Sequence, residues 1–218
     1  MRSREEERRQ EELVESRAKV ENRIVEEKKV ARVLAARDLR LAAIERGEPL
    51  PAPEYLPGPV TGRNFKLWSL VAFDFFIGDG RDYALCNISF DQHVSGTLYL
   101  DSNNGGDIEP FKSPERFMEP FPLYIERDEN VFVDFQCTLI DEDHLVLHVP
   151  LELWSKREKS APPIPEVVPK VIELFGIRDR KWDEMMMASR QARLAQPARK
   201  NKKRSIRNRR RLAAQPAP

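Results

Sequence analysis

Residues 131–151 read VFVDFQCTLIDEDHLVLHVPL, and this stretch decides the fold. Val131, Val133, Phe135, Cys137 and Leu139 fall on every second position, the period of a strand with one buried face. Asp141-Glu142-Asp143 then forms a tight polar turn, and Leu145, Leu147, Val149 and Leu151 alternate back. The pattern is that of an antiparallel hairpin.

Working upstream, the same period recurs. Phe65, Leu67, Val71, Phe73, Phe75 and Ile77 fall on alternate positions, with Ser69 the exception, before a hairpin-type turn at Gly78-Asp79-Gly80. Ala84, Cys86, Ile88 and Phe90 line one face of the next run. Val94, Leu98 and Leu100 carry it to Asn103-Asn104-Gly105-Gly106. Pro110, Pro114, Pro120 and Pro122 break the middle, which reads as loop, a short helical turn from Ser113 and an edge strand. Five to seven short strands with regular turn signals predict a mainly β fold, a small antiparallel β-sandwich or barrel, over residues 65–158.

The flanks differ in composition. Residues 1–46 hold no Pro or Gly and are rich in Glu, Arg, Lys, Ala and Leu, which predicts one long charged helix. Leu13, Val20, Leu34 and Leu41 share a heptad position, but Glu27 interrupts it. The partner position reads Ser16, Arg23, Val30, Arg37, Ile44, too polar for a sound coiled coil. A solvated helix docked along one stripe is the better expectation. Gly47 stops it, and prolines 49, 51, 53, 57 and 59 make residues 47–64 a semi-rigid linker. A second proline-rich linker covers residues 159–169. Residues 170–196 read as short helices, one from Pro169 to Phe175 closed by Gly176 and one from Asp179 to Ala195. Residues 197–218, low in complexity and basic, read as a disordered tail.

Charge is partitioned along the chain. Residues 1–62 carry 13 basic and 13 acidic side chains, residues 63–158 carry 8 against 18, and residues 159–218 carry 16 against 5. A neutral arm, an acidic domain and a basic end thus hide under a formal net charge of +1. The basic charge peaks at Arg199, Lys200, Lys202, Lys203, Arg204, Arg207, Arg209, Arg210 and Arg211, with no acid among them. Such a run suits a nuclear-localisation signal or an arm on nucleic-acid phosphates. No aromatic side chain is interleaved, so stacking on single strands is not indicated.

Other motifs are weaker. Asp74, Asp79 and Asp82 gather near one turn and Asp141, Glu142 and Asp143 at another, suiting a basic protein partner or ordinary turn chemistry. Asp101, Asn103 and Gly106 match three positions of a calcium loop, but Gly105 and Lys112 stand where oxygen ligands are required. His144 and His148 lie four apart on a strand, about 13 Å, too far to share one ion; they read as exposed strand histidines. His93 has no evident partner. Cys86 and Cys137 read as buried free thiols in a reducing compartment. Trp182, Met185, Met186 and Ser189 share a helix face that packs on the β domain or docks in a partner's groove.

No metal or cofactor motif is present, and the N-terminus resembles neither a secretory signal nor a mitochondrial presequence. No run reaches the ~18 apolar residues of a membrane span. The expectation is a soluble, non-catalytic nuclear adaptor. Its basic tail holds DNA or RNA through backbone contacts, and its acidic β domain holds a protein partner. The alternatives are an assembly protein that self-associates through strand edges and a hydrolase using carboxylates on the acidic turns.

Overall fold

The computed structural model describes residues 4–50, 53–58, 60–76, 86–91, 95–101, 104–128, 131–154, 164–185 and 188. The chain divides into two units, residues 1–179 and residues 180–218. In the second unit, residues 180–185 are helical.

The first unit is an antiparallel barrel carrying a helix. Its strands are β1 (Asn64–Trp68), β2 (Asn87–Phe90), β3 (Gly96–Tyr99), β4 (Gly105–Ile108), β5 (Pro120–Asp128), β6 (Val131–Leu139), β7 (His144–Pro150) and β8 (Val171–Arg178). Each pairs with the next, and β8 returns to pair with β1, so the sheet closes into a barrel rather than splitting into a sandwich. Alternation along each strand sends Phe65, Ile88, Leu98, Ile125, Cys137 and Leu147 into one buried interior. The 131–151 hairpin pairs as its pattern predicts, with Leu139 opposite Leu145 and Cys137 opposite Leu147.

β8 replaces an expected helix. The run from Pro169 to Phe175 pairs with β7 and β1 instead, Ile172 and Leu174 pointing inward and Phe175 outward. Val171 and Glu173 are exposed, but Leu174, Phe175 and Gly176 are all buried, so this part of the strand is continuous in apolar residues and lacks a readable period. Gly176 lies opposite both Leu67 and Leu145, and a Cβ there would come within 2.5 Å of Leu145 Cδ1. Its small size lets the closing strand fit; it does not terminate a helix.

Three other segments depart from the periodic reading. β1 ends at Trp68, where Ser69 caps a short helix, α2 (Leu70–Phe75), its hydroxyl accepting the N–H of Ala72 at 3.4 Å. The single strand expected over 65–77 is therefore a strand followed by a helix; Gly78, Asp79 and Gly80 lie outside the described residues. No helical turn follows Ser113. Instead Tyr55 bridges Arg116, Leu56 N–H donates to Glu115 and Phe117 N–H to Glu54, so part of residues 47–64 is tied to the barrel. Val60 is fully buried there. Pro120 and Pro122 stand in a nine-residue strand, on positions of the same parity as Tyr124, whose carbonyl accepts from Glu109 in the segment after β4. β4 ends before reaching them, so their missing N–H groups face the side with no ladder to join.

α1 (Arg4–Arg46) spans 43 residues, about 65 Å at the helical rise. Its second half docks on the outside of the barrel. Val30 and Val33 pack on Trp68, Val146 and Phe175, the outward residues of β1, β7 and β8. Burying each valine is worth about 1.5 kcal/mol or more. The docking stripe runs through Glu26, Val30, Val33, Arg40 and Ala43, whereas Leu13, Val20 and Leu41 are exposed. Of the heptad position marked in the sequence, Leu34 packs against this cluster while the other three are exposed, so that position is not the seam on this barrel.

Candidate interaction surfaces

The sequence placed its strongest functional signal at Arg199, Lys200, Lys202, Lys203, Arg204, Arg207, Arg209, Arg210 and Arg211, all of which lie outside the described residues. Asp79, Asp82, His93 and Asn103 also lie outside them, as do Met186 and Ser189.

The acidic turns do structural work. Asp74 on α2 is ion-paired with Arg23 of α1. Asp141 accepts the backbone N–H groups of Asp143 at 2.7 Å and His144 at 2.9 Å, while His144 Nδ1 donates to both its oxygens at 2.9 Å. Burial works to raise the Asp141 pKa, but the His144 hydrogen bond and the two backbone donors outweigh it, so the carboxylate sits below its ordinary range. His144 is buried rather than exposed, its ring drawn onto the Asp141 carboxylate. His148 pairs with Glu173 at 3.2 Å on the outer surface. Asp101 spends its carboxylate on Asn104, taking its backbone N–H at 2.8 Å and its side-chain amide at 2.6 Å, a turn-closing pair. Among the described residues no group of three or more His, Cys, Asp or Glu is placed to hold a metal ion.

Both cysteines are free, and burial pushes their thiols upward, with Glu26 and Asp101 adding to the effect at Cys86. They are poor nucleophiles as placed. Among the described residues no helix is long and apolar enough to cross a membrane.

Two charged residues that sequence reasoning passed over sit under α1. Glu26 is fully buried, one carboxylate oxygen accepting the Ser69 backbone N–H and the other without a hydrogen-bond partner among the described residues. Burial pushes its pKa up to about 8, against the lowering effect of the Ser69 bond. Arg40 is likewise buried, over the Phe117 ring at 5.1 Å, and donates to the Pro53 carbonyl at 2.7 Å. Burial lowers its pKa, partly offset by Asp141 and Glu54.

The barrel's outside has two sides of different character. α1 and α2 cover β1, β7 and β8. On β4 to β6 several outward side chains are exposed. There Tyr124 stands opposite Asp134 and Phe132 opposite Glu126, with Glu109 bonded beside Tyr124 and Asp107 farther along β4. Tyr124, Phe132, Asp107, Glu126 and Asp134 are all exposed. Only the strand register brings them together; in sequence they are ordinary solvent-face residues.

No family model matches the chain, and neither a curated protein nor a solved structure matches it.

Proposed function

We propose that the chain is a non-catalytic nuclear adaptor. Its basic run at residues 199–211 holds DNA or RNA by phosphate contacts, and its acidic barrel holds a protein partner. The observation that carries this reading is the charge partition, 8 basic against 18 acidic side chains over residues 63–158 and 16 against 5 over residues 159–218. The barrel's contribution falls on its outside, since its interior is filled by its own side chains.

The test is binding of duplex DNA and of RNA across a salt series, with the full chain and with one ending at Gln196. The adaptor reading expects the full chain to bind with a log–log slope of about −0.9 per duplex phosphate contact, and the shortened chain to lose that binding. Nuclear accumulation should fail with the same truncation. Equal binding by the two chains would remove the basic run from the mechanism.

A further inference from the structure

The side of α1 turned away from the barrel carries a stripe of its own. At about 100° per residue, Leu13, Arg17, Val20, Ile24, Glu27 and Ala31 follow one another along the helix, about 150° around it from the docking stripe through Glu26, Val30 and Val33. All six are exposed, because the barrel covers only the opposite side. Their intervals alternate between four and three residues, the spacing of a coiled-coil seam. The position of Leu13 and Val20 is thus partnered by Arg17, Ile24 and Ala31, one residue on from the more polar set that begins at Ser16.

Two charges break this seam, and their placing selects what covers it. Val20 and Ile24 stand two residues either side of Asn22, Arg17 and Glu27 five, and Leu13 and Ala31 nine. A second α1 laid antiparallel, with the two-fold axis level with Asn22, therefore sets Val20 against Ile24, Arg17 against Glu27 and Leu13 against Ala31, each twice. A parallel copy would set Arg17 on Arg17 and Glu27 on Glu27. Glu27 gives one carboxylate oxygen to Arg23 Nε at 3.3 Å and keeps the other, while Arg23 is also paired with Asp74. At the rim of the antiparallel pair, Lys19 of one copy falls beside Glu27 of the other, and Lys28 beside Arg17, its long stem carrying the ammonium into water.

We infer that α1 pairs with α1 of a second copy as a short antiparallel coiled coil, making a two-fold dimer with a barrel on each outer side. Residues 13–31 supply the contact, about 27 Å of helix. The ionic layers fix register and direction at a cost in affinity, and Leu13 meets only an alanine at the outermost layer. The dimer is therefore weak and reversible, and the fold of each barrel does not depend on it. Nucleic-acid binding by the basic run is a separate property, so either can fail without the other.

The experiment is sedimentation equilibrium of the nuclease-treated full chain over a concentration series. The wild type should pass from one to two chain masses as concentration rises. Val20→Asp, on an exposed helix face, should keep the thermal unfolding midpoint of the dilute wild type and stay monomeric where the wild type dimerises. Arg17→Glu and Glu27→Arg alone each set like charges against each other twice and should weaken dimerisation about tenfold. The double change, Arg17→Glu with Glu27→Arg, should restore it, and so should an equimolar mixture of the two single variants.

A chain monomeric throughout, or dimerisation untouched by Val20→Asp, would overturn the inference. So would single charge reversals that dimerise like the wild type, the result of a parallel pair in which each residue meets only its own kind. Dimerisation lost in a chain ending at Gln196 would assign self-association to the basic run and overturn α1 as its seat.

Discussion

Glu26, midway along α1, accepts the backbone N–H of Ser69, the residue that caps α2. One carboxyl thereby ties the long helix to the junction of β1 and α2 while remaining sealed from water. Arg23 and Lys29, the nearby cations of α1, are engaged elsewhere, one with Asp74 and the other over the Trp68 ring at 5.6 Å. Burial therefore favours the protonated carboxyl, and the Ser69 N–H, which favours the ionised form, offsets it only in part.

The pH dependence follows in sign. A group whose pKa rises on folding, here from 4.5 to about 8, contributes its full stability below the lower value and loses it as pH climbs toward the upper one. Urea unfolding of the wild type should weaken from pH 5 to pH 8, by up to about 3 to 4 kcal/mol if α1 stays docked. Glu26→Gln should remove most of that decline. Identical pH profiles for the two proteins would show that Glu26 is not a buried acid.

Docking of α1 is tested by contrast along the helix. Val33→Ala, at a fully buried position, should cost about 2 kcal/mol and raise amide exchange in residues 26–43. Leu13→Ala, on the exposed first half, should change stability by less than about 0.5 kcal/mol. Equal effects would mean that the first half is also packed.

Gly176 separates strand from helix by sign. Were residues 169–175 helical and closed by Gly176, a glycine at left-handed backbone would be expected there. In the barrel the obstacle is steric: Gly176→Val should destabilise by about 1–3 kcal/mol by driving into Leu145 and Leu67. Leu145→Ala in the same chain should recover part of the loss, which a backbone-strain explanation does not allow.

The domain boundary gives a fourth expectation. A chain ending at residue 158 lacks β8 and leaves β1 and β7 with bare edges. It should aggregate or stay unfolded by circular dichroism, whereas one ending at residue 185 should unfold in one cooperative transition. Cooperative unfolding of the shorter chain would argue that β8 is dispensable.

Legibility in the sequence tracked how many faces of a segment are wet. β6 has one buried face, so Val133, Phe135 and Cys137 announce it. β8 is covered on both sides from Leu174 to Gly176, and that apolar run mimics a helix end at Gly176. α1 was legible as a helix, but its docking stripe contains Glu26 and Arg40, charged residues that hydrophobic patterning reads as solvent. α2 was hidden because Ser69 resembled a lapse in alternation when it was a cap. The acidic and aromatic face depends on pairing Tyr124 with Asp134 and Glu126 with Phe132, and register is invisible until the strands are laid side by side.

Barrel closure also sets an order of events during synthesis. β1 finds its second neighbour only in β8, with Leu67 opposite Gly176, more than one hundred residues later in the chain. α1 emerges first, yet the floor it rests on needs β1, β7 and β8 together. Most of the chain must therefore leave the ribosome before Val30 and Val33 find cover. A slow, non-local final step of this kind leaves the nascent protein dependent on whatever shields its apolar helix in the interval.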